Sequence, residues 1–167
     1  MDSATRKKLI DQYKDGYRVV AESLVGATDE ELDARPAPGK WSAREVVHHL
    51  ADSEMTAAVR ARLLLAVDRP QITGYDQEAF AQRLHYERPI EASLDAFKSA
   101  RRTTAEILDQ LSEAEWAREG THTDQGRYTL DRWLEIYAKH AHGHAEQILV
   151  ARDAARKQQI DADKKST

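Results

Sequence analysis

The stretch YTLDRWLEIYAKHAHGHAEQI, residues 128–148, decides the fold. Leu130, Trp133, Tyr137, His140, His144 and Ile148 recur at spacings of three and four, which places them on one face of an α-helix. Thr129 stands where an N-cap is expected. The face is apolar apart from two imidazoles. Side chains four apart lie one above the other, so His140 and His144 stack and point toward whatever the helix packs against. They cannot both be charged there, and their ring nitrogens need partners. A divalent metal satisfies both; so do two core histidines bonded to backbone, tyrosine or water, and H-x-x-x-H alone does not choose between these readings. His142, two residues from each, falls on the opposite side and is expected in solvent.

Working outward, the same period appears three more times. Leu9, Ile10, Tyr13, Tyr17, Val20 and Leu24 make the stripe of a helix from about Thr5 to Val25. Ser42 with Glu45 is a capping-box signature that opens a helix running to about Val67, where Pro70 bars continuation. Ile90, Leu94, Phe97, Thr104, Leu108 and Leu111 stripe a third helix, with Pro89 expected as its first residue. Short capped helices are expected in the connections: one after Thr28–Glu31 that Pro36 and Pro38 end, a turn near Asp76–Gln82, and one after Ser112–Glu115 ending near Gly120. QIT and THTDQGRY read as loops. The two halves look weakly duplicated, each ending in a long histidine-bearing helix. After Ala155 the chain turns polar and is expected to fray.

Four long amphipathic helices cannot hide their stripes alone, so the expected fold is an all-α four-helix bundle: one domain over 1–156 and a polar tail over 157–167. Composition agrees, with 167 residues, only Gly 7 and Pro 4, and 32% charged residues. A net charge of -4 gives no basic footprint for nucleic acid. No apolar run is long enough to cross a membrane and no secretory leader is visible, so a cytoplasmic location is expected. A homodimer through leftover apolar faces is plausible on the same amphipathicity. The chain has no cysteine, which excludes disulfides, thiolate-ligated metals and a thiol nucleophile of its own. A transition-metal site has to be built from histidine and carboxylate.

His48-His49 supplies the rest. Adjacent helical residues point about 100° apart, so only one of them shares the face of a given partner. Val46, Leu50 and Ala57 mark the buried side of this helix, and His49 lies with Val46 and Ser53. His49 is therefore the expected third ligand, with His48 as a flank or as a residue supporting the ligands. Three neutral imidazoles suit Zn²⁺, Ni²⁺, Co²⁺ or Fe²⁺. Open positions on such an ion make it catalytic in form, because structural zinc is usually closed by four protein ligands.

RPAPGKWSAREVVHHLADSE (35–54), GYDQEAFA (74–81) and the 128–148 stretch, in this order and spacing, resemble the DinB/YfiT-like superfamily of metal-binding four-helix bundles. The resemblance spans nearly the whole chain. It implies one ligand at the histidine before Leu-Ala-Asp, which is His49, and the others at His140 and His144. One departure is Gly143, where members often carry a second histidine. Trp41 is expected to pack at the helix entrance. Tyr75 and Asp76 are candidates for the pocket rim, or for capping the short helix.

The resemblance implies metal-dependent hydrolysis for some members and thiol S-transfer with bacillithiol or mycothiol for others. The leading expectation is an S-transferase: a metal on His49, His140 and His144 lowers the pKa of a low-molecular-weight thiol and presents it to a small-molecule electrophile. The alternative is a hydrolase using a metal-activated water, with Asp52, Glu54 or His122 as proton acceptor. A non-catalytic metal-binding bundle is the third reading.

Overall fold

The computed structural model describes residues 1–165. Four long helices carry the fold: α1 (Ser3–Ser23), α3 (Ala43–Ala66), α5 (Glu91–Leu108) and α7 (Leu130–Lys165). Three short ones, α2 (Asp29–Asp33), α4 (Gln77–Arg83) and α6 (Glu113–Trp116), lie in the connections. In the bundle α7 packs between α1 and α3, and α5 packs against the same two helices on the other side. Successive long helices α1 and α3 are therefore diagonal. The consequence for the site is that α3, with His49, lies directly against α7, with His140 and His144.

Local chemistry sets the helix boundaries. Ser42 and Ser112 both close full capping boxes, with Glu45 and Glu115 reaching back to the cap N–H at 2.8 Å. Thr129 Oγ1 accepts from Arg132 N at 3.1 Å and opens α7 as expected. Thr28 accepts from Glu31 N, but the Glu31 carboxylate binds Arg152 and Arg156 instead of returning to the cap. That half-box ties α2 to α7.

Four expectations are corrected. Pro89 precedes the helix: α5 begins at Glu91 behind Ile90, which makes no side-chain cap bond. α6 stops at Trp116, short of Gly120. The two stretches read as loops build a small sheet, with β1 (Gln71–Ile72) parallel to β2 (Glu119–His122) and β2 antiparallel to β3 (Gly126–Thr129). Strands of two to four residues carry too little periodicity to read, although Gly126 at φ 73° fits a hairpin turn that only glycine adopts freely. Finally, α7 does not fray after Ala155 but stays helical through Lys165, so the expected tail boundary at 157 falls inside a helix; residues 166–167 lie outside the described residues.

The core splits into two apolar clusters. One gathers around Tyr13, Leu64, Trp133 and Leu134, the other around Val20, Leu50, Phe97 and Ile148. Between them runs a polar layer. Glu54 of α3 and Arg101 of α5 pair at 2.7 Å with side chains 0% and 2% exposed, and Tyr13 Oη donates to the same carboxylate. Arg101 also donates to the carbonyls of Tyr13 and Tyr137, binding α1, α3, α5 and α7 together. Gly16 makes room for it: a Cβ there would sit 2.4 Å from Arg101 Nη1 and 2.8 Å from the Ala141 Cβ.

Candidate metal centre

His49, His140 and His144 come together at the α3–α7 contact, one potential ligand atom from each within 4.8 Å of the others. Their Nε2 atoms face a common point. His140 Nε2 lies 3.3 Å from His49 Nε2 and 3.2 Å from His144 Nε2. They meet because His49 is on the buried side of α3, and His140 and His144 are one turn apart on α7.

Burial keeps these rings neutral. Desolvation pulls His49 down to about 3 and His140 to about 2, with neighbouring imidazoles adding to the effect. His144 is lowered by burial and partly restored by Gln147, whose Oε1 lies 2.8 Å from its Nδ1. An amide oxygen only accepts, so His144 Nδ1 carries the proton and Nε2 presents a lone pair. The Nδ1 atoms of His49 and His140 are buried without a partner. Three neutral rings hold one proton each, and with these protons on Nδ1 three lone pairs would converge with nothing between them. A divalent cation resolves that conflict, so the residues present fit the group.

Aromatic rings wall the cluster. Trp41 stands 4.9 Å, centroid to centroid, from the His49 ring, and Tyr137 stands 5.8 Å from His140. Trp41 is thus a packing residue, as expected, but it packs on a candidate ligand.

The other candidates are placed elsewhere or already engaged. Glu54 is buried in the Arg101–Tyr13 network; burial pushes its carboxyl up while Arg101 pulls it down. Asp52 accepts from Tyr86 Oη at 2.6 Å. His122 is buried on β2, and its Nδ1 accepts from Asp124 N at 3.1 Å. Asp76 is the N-cap of α4, accepting from Glu78 N and Ala79 N at 3.0 Å. Tyr75 is half-buried, stacked on Phe80 and close to the Arg60 guanidinium. His48 is a core histidine rather than a flank, fully buried between Ser93 Oγ at 2.7 Å and the Arg88 carbonyl at 3.0 Å. His142 is half-buried, not free in solvent, with Nε2 donating to the Gln12 carbonyl at 3.0 Å.

Residues not singled out from sequence are Gln147, Tyr137 as a wall, and Arg60, which donates to Tyr137 Oη at 3.1 Å. Each had a signal. Gln147 is three residues beyond His144, Tyr137 three before His140, and Arg60 is a charge on the buried side of α3.

The family model of the DinB superfamily matches residues 12–148. The chain belongs to the DinB superfamily. Among solved structures, this DinB-superfamily chain is similar to YfiT from Bacillus subtilis, described as "a probable metal-dependent hydrolase with an unusual four-helix bundle topology". That likeness has TM-score 0.84 and 26% identity, covering 95% of this chain and 90% of YfiT. A protein of Oceanobacillus iheyensis named "putative metal-dependent hydrolase" is 31% identical over 139 residues, 83% of this chain and 81% of the relative. One of Bacillus pumilus with the same name is 31% identical over 133 residues, 79% of this chain and 74% of its own.

Proposed function

We propose that this DinB-superfamily chain is a metal-dependent enzyme acting on a small-molecule electrophile, with His49, His140 and His144 holding one divalent transition-metal ion through Nε2. The observation that carries the reading is the convergence of three neutral Nε2 atoms, from a buried His49 and the half-buried His140 and His144, two of the rings having orphaned Nδ1 atoms. Bound there, the ion would polarise a substrate carbonyl and lower the pKa of a water or thiol toward neutrality. The protein's own contribution is placement. Gln147 fixes the His144 tautomer, Trp41 and Tyr137 shield the flanks of the site from water, and the polar layer of Glu54 and Arg101 holds the helices that carry the ligands.

Hydrolysis, with water as nucleophile, is the first reading, and the names of the relatives support it. One observation favours a second reading, thiol S-transfer. Asp52 Oδ2 accepts from Tyr86, Glu54 is paired with Arg101 and His122 Nδ1 accepts from a backbone amide, so each of the three candidate proton acceptors already serves another group. A thiol, with an ordinary pKa near ~8.5, needs far less help to ionise.

Zinc-loaded protein assayed on esters, amides and lactams without thiol tests the first reading. Bacillithiol, mycothiol and simpler thiols with monochlorobimane test the second. Turnover above the uncatalysed rate that disappears in His144→Ala supports whichever panel shows it. Zinc binding with neither activity would leave a metal-binding bundle.

A further inference from the structure

Among the described residues five arginines are buried: Arg6, Arg44, Arg60, Arg101 and Arg152. Four of them face carboxylates. Arg6 pairs with Glu113 and Asp131, Arg44 with Asp29 and Asp33, Arg101 with Glu54, and Arg152 with Glu31. Arg60 is only 8% exposed, yet among the described residues it forms no ion pair. Its Nη1 donates to Tyr137 Oη at 3.1 Å and its Nη2 to the Thr73 carbonyl at 2.7 Å, both neutral oxygens, and its Nε is buried without an acceptor. Burying a guanidinium without a counter-charge is costly, because the ion gives up its hydration and gains no opposite charge in return. The rest of the fold avoids that cost wherever it buries an arginine.

Position ties this charge to the candidate centre. Arg60 lies on the same buried side of α3 as His49 and Ser53, about three turns further along, and its side chain leans back toward the N-terminus of the helix. Tyr137, which receives its Nη1 proton, is three residues from His140, with the two rings 5.8 Å apart. The Tyr75 ring lies 5.8 Å from the guanidinium on another side. Arg60 also lines a cavity of about 400 Å³ with Met55, Thr56, Val59, Ile72 and Thr73. Three neutral imidazoles add no negative charge, so a cation on them would leave the region more positive still.

We propose that Arg60 is an anion-recognition residue of this pocket, and that the substrate carries an oxyanion, a carboxylate or a phosphate, beside its reacting group. The planar fork of a guanidinium suits both oxyanions, and the unpartnered Nε–H together with an adjacent Nη–H is the edge that binds them in pairs. Tyr137 Oη and the Thr73 carbonyl hold the opposite edge and aim the fork. The inference deepens the reading above and rests on it for the reaction; the binding step stands on Arg60 alone.

The test is binding, measured by calorimetry on the full chain with inorganic phosphate in one arm and acetate in the other. Wild type, Arg60→Gln and Arg60→Lys are compared, metal-free and zinc-loaded, with melting temperature and zinc stoichiometry taken on the same samples. The expected result is binding of at least one anion to wild type, weakened about tenfold or more in Arg60→Gln and less in Arg60→Lys, with zinc stoichiometry unchanged. The arm that binds more tightly identifies the oxyanion. No binding of either anion to wild type overturns the proposal. Equal affinity in the variants also overturns it, and a lower melting temperature at equal affinity would mark Arg60 as a staple between α3 and the Thr73 segment. If Arg60→Gln does not fold, Arg60→Lys, which keeps the charge but loses the fork, decides alone by the same comparison. Zinc in every sample with Arg60-independent anion binding defeats this inference only. Arg60-dependent binding with no zinc in any sample defeats the metal reading and leaves this one standing.

Discussion

Replacing Glu54 with leucine separates a structural carboxylate from a catalytic one. Glu54 and Arg101 are 0% and 2% exposed and 2.7 Å apart, so the substitution leaves a guanidinium in the dry layer between the two apolar clusters with no counter-charge. Breaking one side of a buried pair costs ~3–5 kcal/mol, and Tyr13 Oη loses its acceptor for about 1 kcal/mol more. A loss of about 5 kcal/mol lowers the melting temperature by roughly 10–20 °C for a domain of this size. Adding Arg101→Met removes the stranded charge, so the double variant should recover at least about 2 kcal/mol. Urea and thermal unfolding of metal-free protein at neutral pH measure both, with zinc content of the folded fraction measured in parallel and expected to be unchanged. A loss under about 1 kcal/mol, or a double variant that loses the simple sum of the two single costs, would refute the layer as described. Full stability with abolished turnover would instead make Glu54 a base facing the reaction.

Metal-free protein should lose stability as pH falls below about 6.5. His49 and His140 are held neutral down to about 3 and about 2, so between those values and 6.5 the unfolded chain binds protons that the folded chain does not. Stability contributed by these rings is complete above the unfolded pKa and declines by roughly 1.4 kcal/mol per pH unit for each ring, read as the unfolding midpoint in urea across pH 7 to 5; a flat profile contradicts their burial as neutral groups. Gly16→Ala puts a methyl 2.4 Å from Arg101 Nη1 and should cost about 2 kcal/mol in unfolding free energy despite alanine's better helix propensity, whereas a stabilised variant would mean that Arg101 is not fixed there. Gln147→Ala removes the acceptor on His144 Nδ1 and should weaken zinc affinity about 10- to 100-fold in a competitive chelator titration; unchanged affinity would show that the tautomer is set without it.

Legibility in the sequence followed the length of the physical signal. Stripes such as Leu130 to Ile148 repeat over many turns and settle which face is buried, and from that the bundle and the meeting of His49 with His140 and His144 follow. Capping boxes at Ser42 and Ser112 were readable because two side chains must agree at a fixed spacing. The small sheet was not, since its strands are short and held by partners distant in the chain, Gln71 against Thr121. The polar composition after Ala155 suggests fraying, whereas Arg152, with its bond to Glu31, anchors the helix near that point. Polar groups were the hardest to place. Asp52, Glu54 and His122 are suitable by chemical type as proton acceptors, but their partners, Tyr86, Arg101 and the Asp124 amide, come from elements whose contacts no local pattern encodes. Arg60 carried the opposite signal, a charge on a buried face, whose meaning depends on the carboxylates that do not accompany it.

Metal content of the purified chain tests the central claim most directly. Elemental analysis after dialysis against zinc should find one ion per chain in the wild type and a large loss in each of His49→Ala, His140→Ala and His144→Ala, with circular dichroism showing the helical bundle retained. Wild type without metal, or variants that keep as much as the wild type, would contradict it.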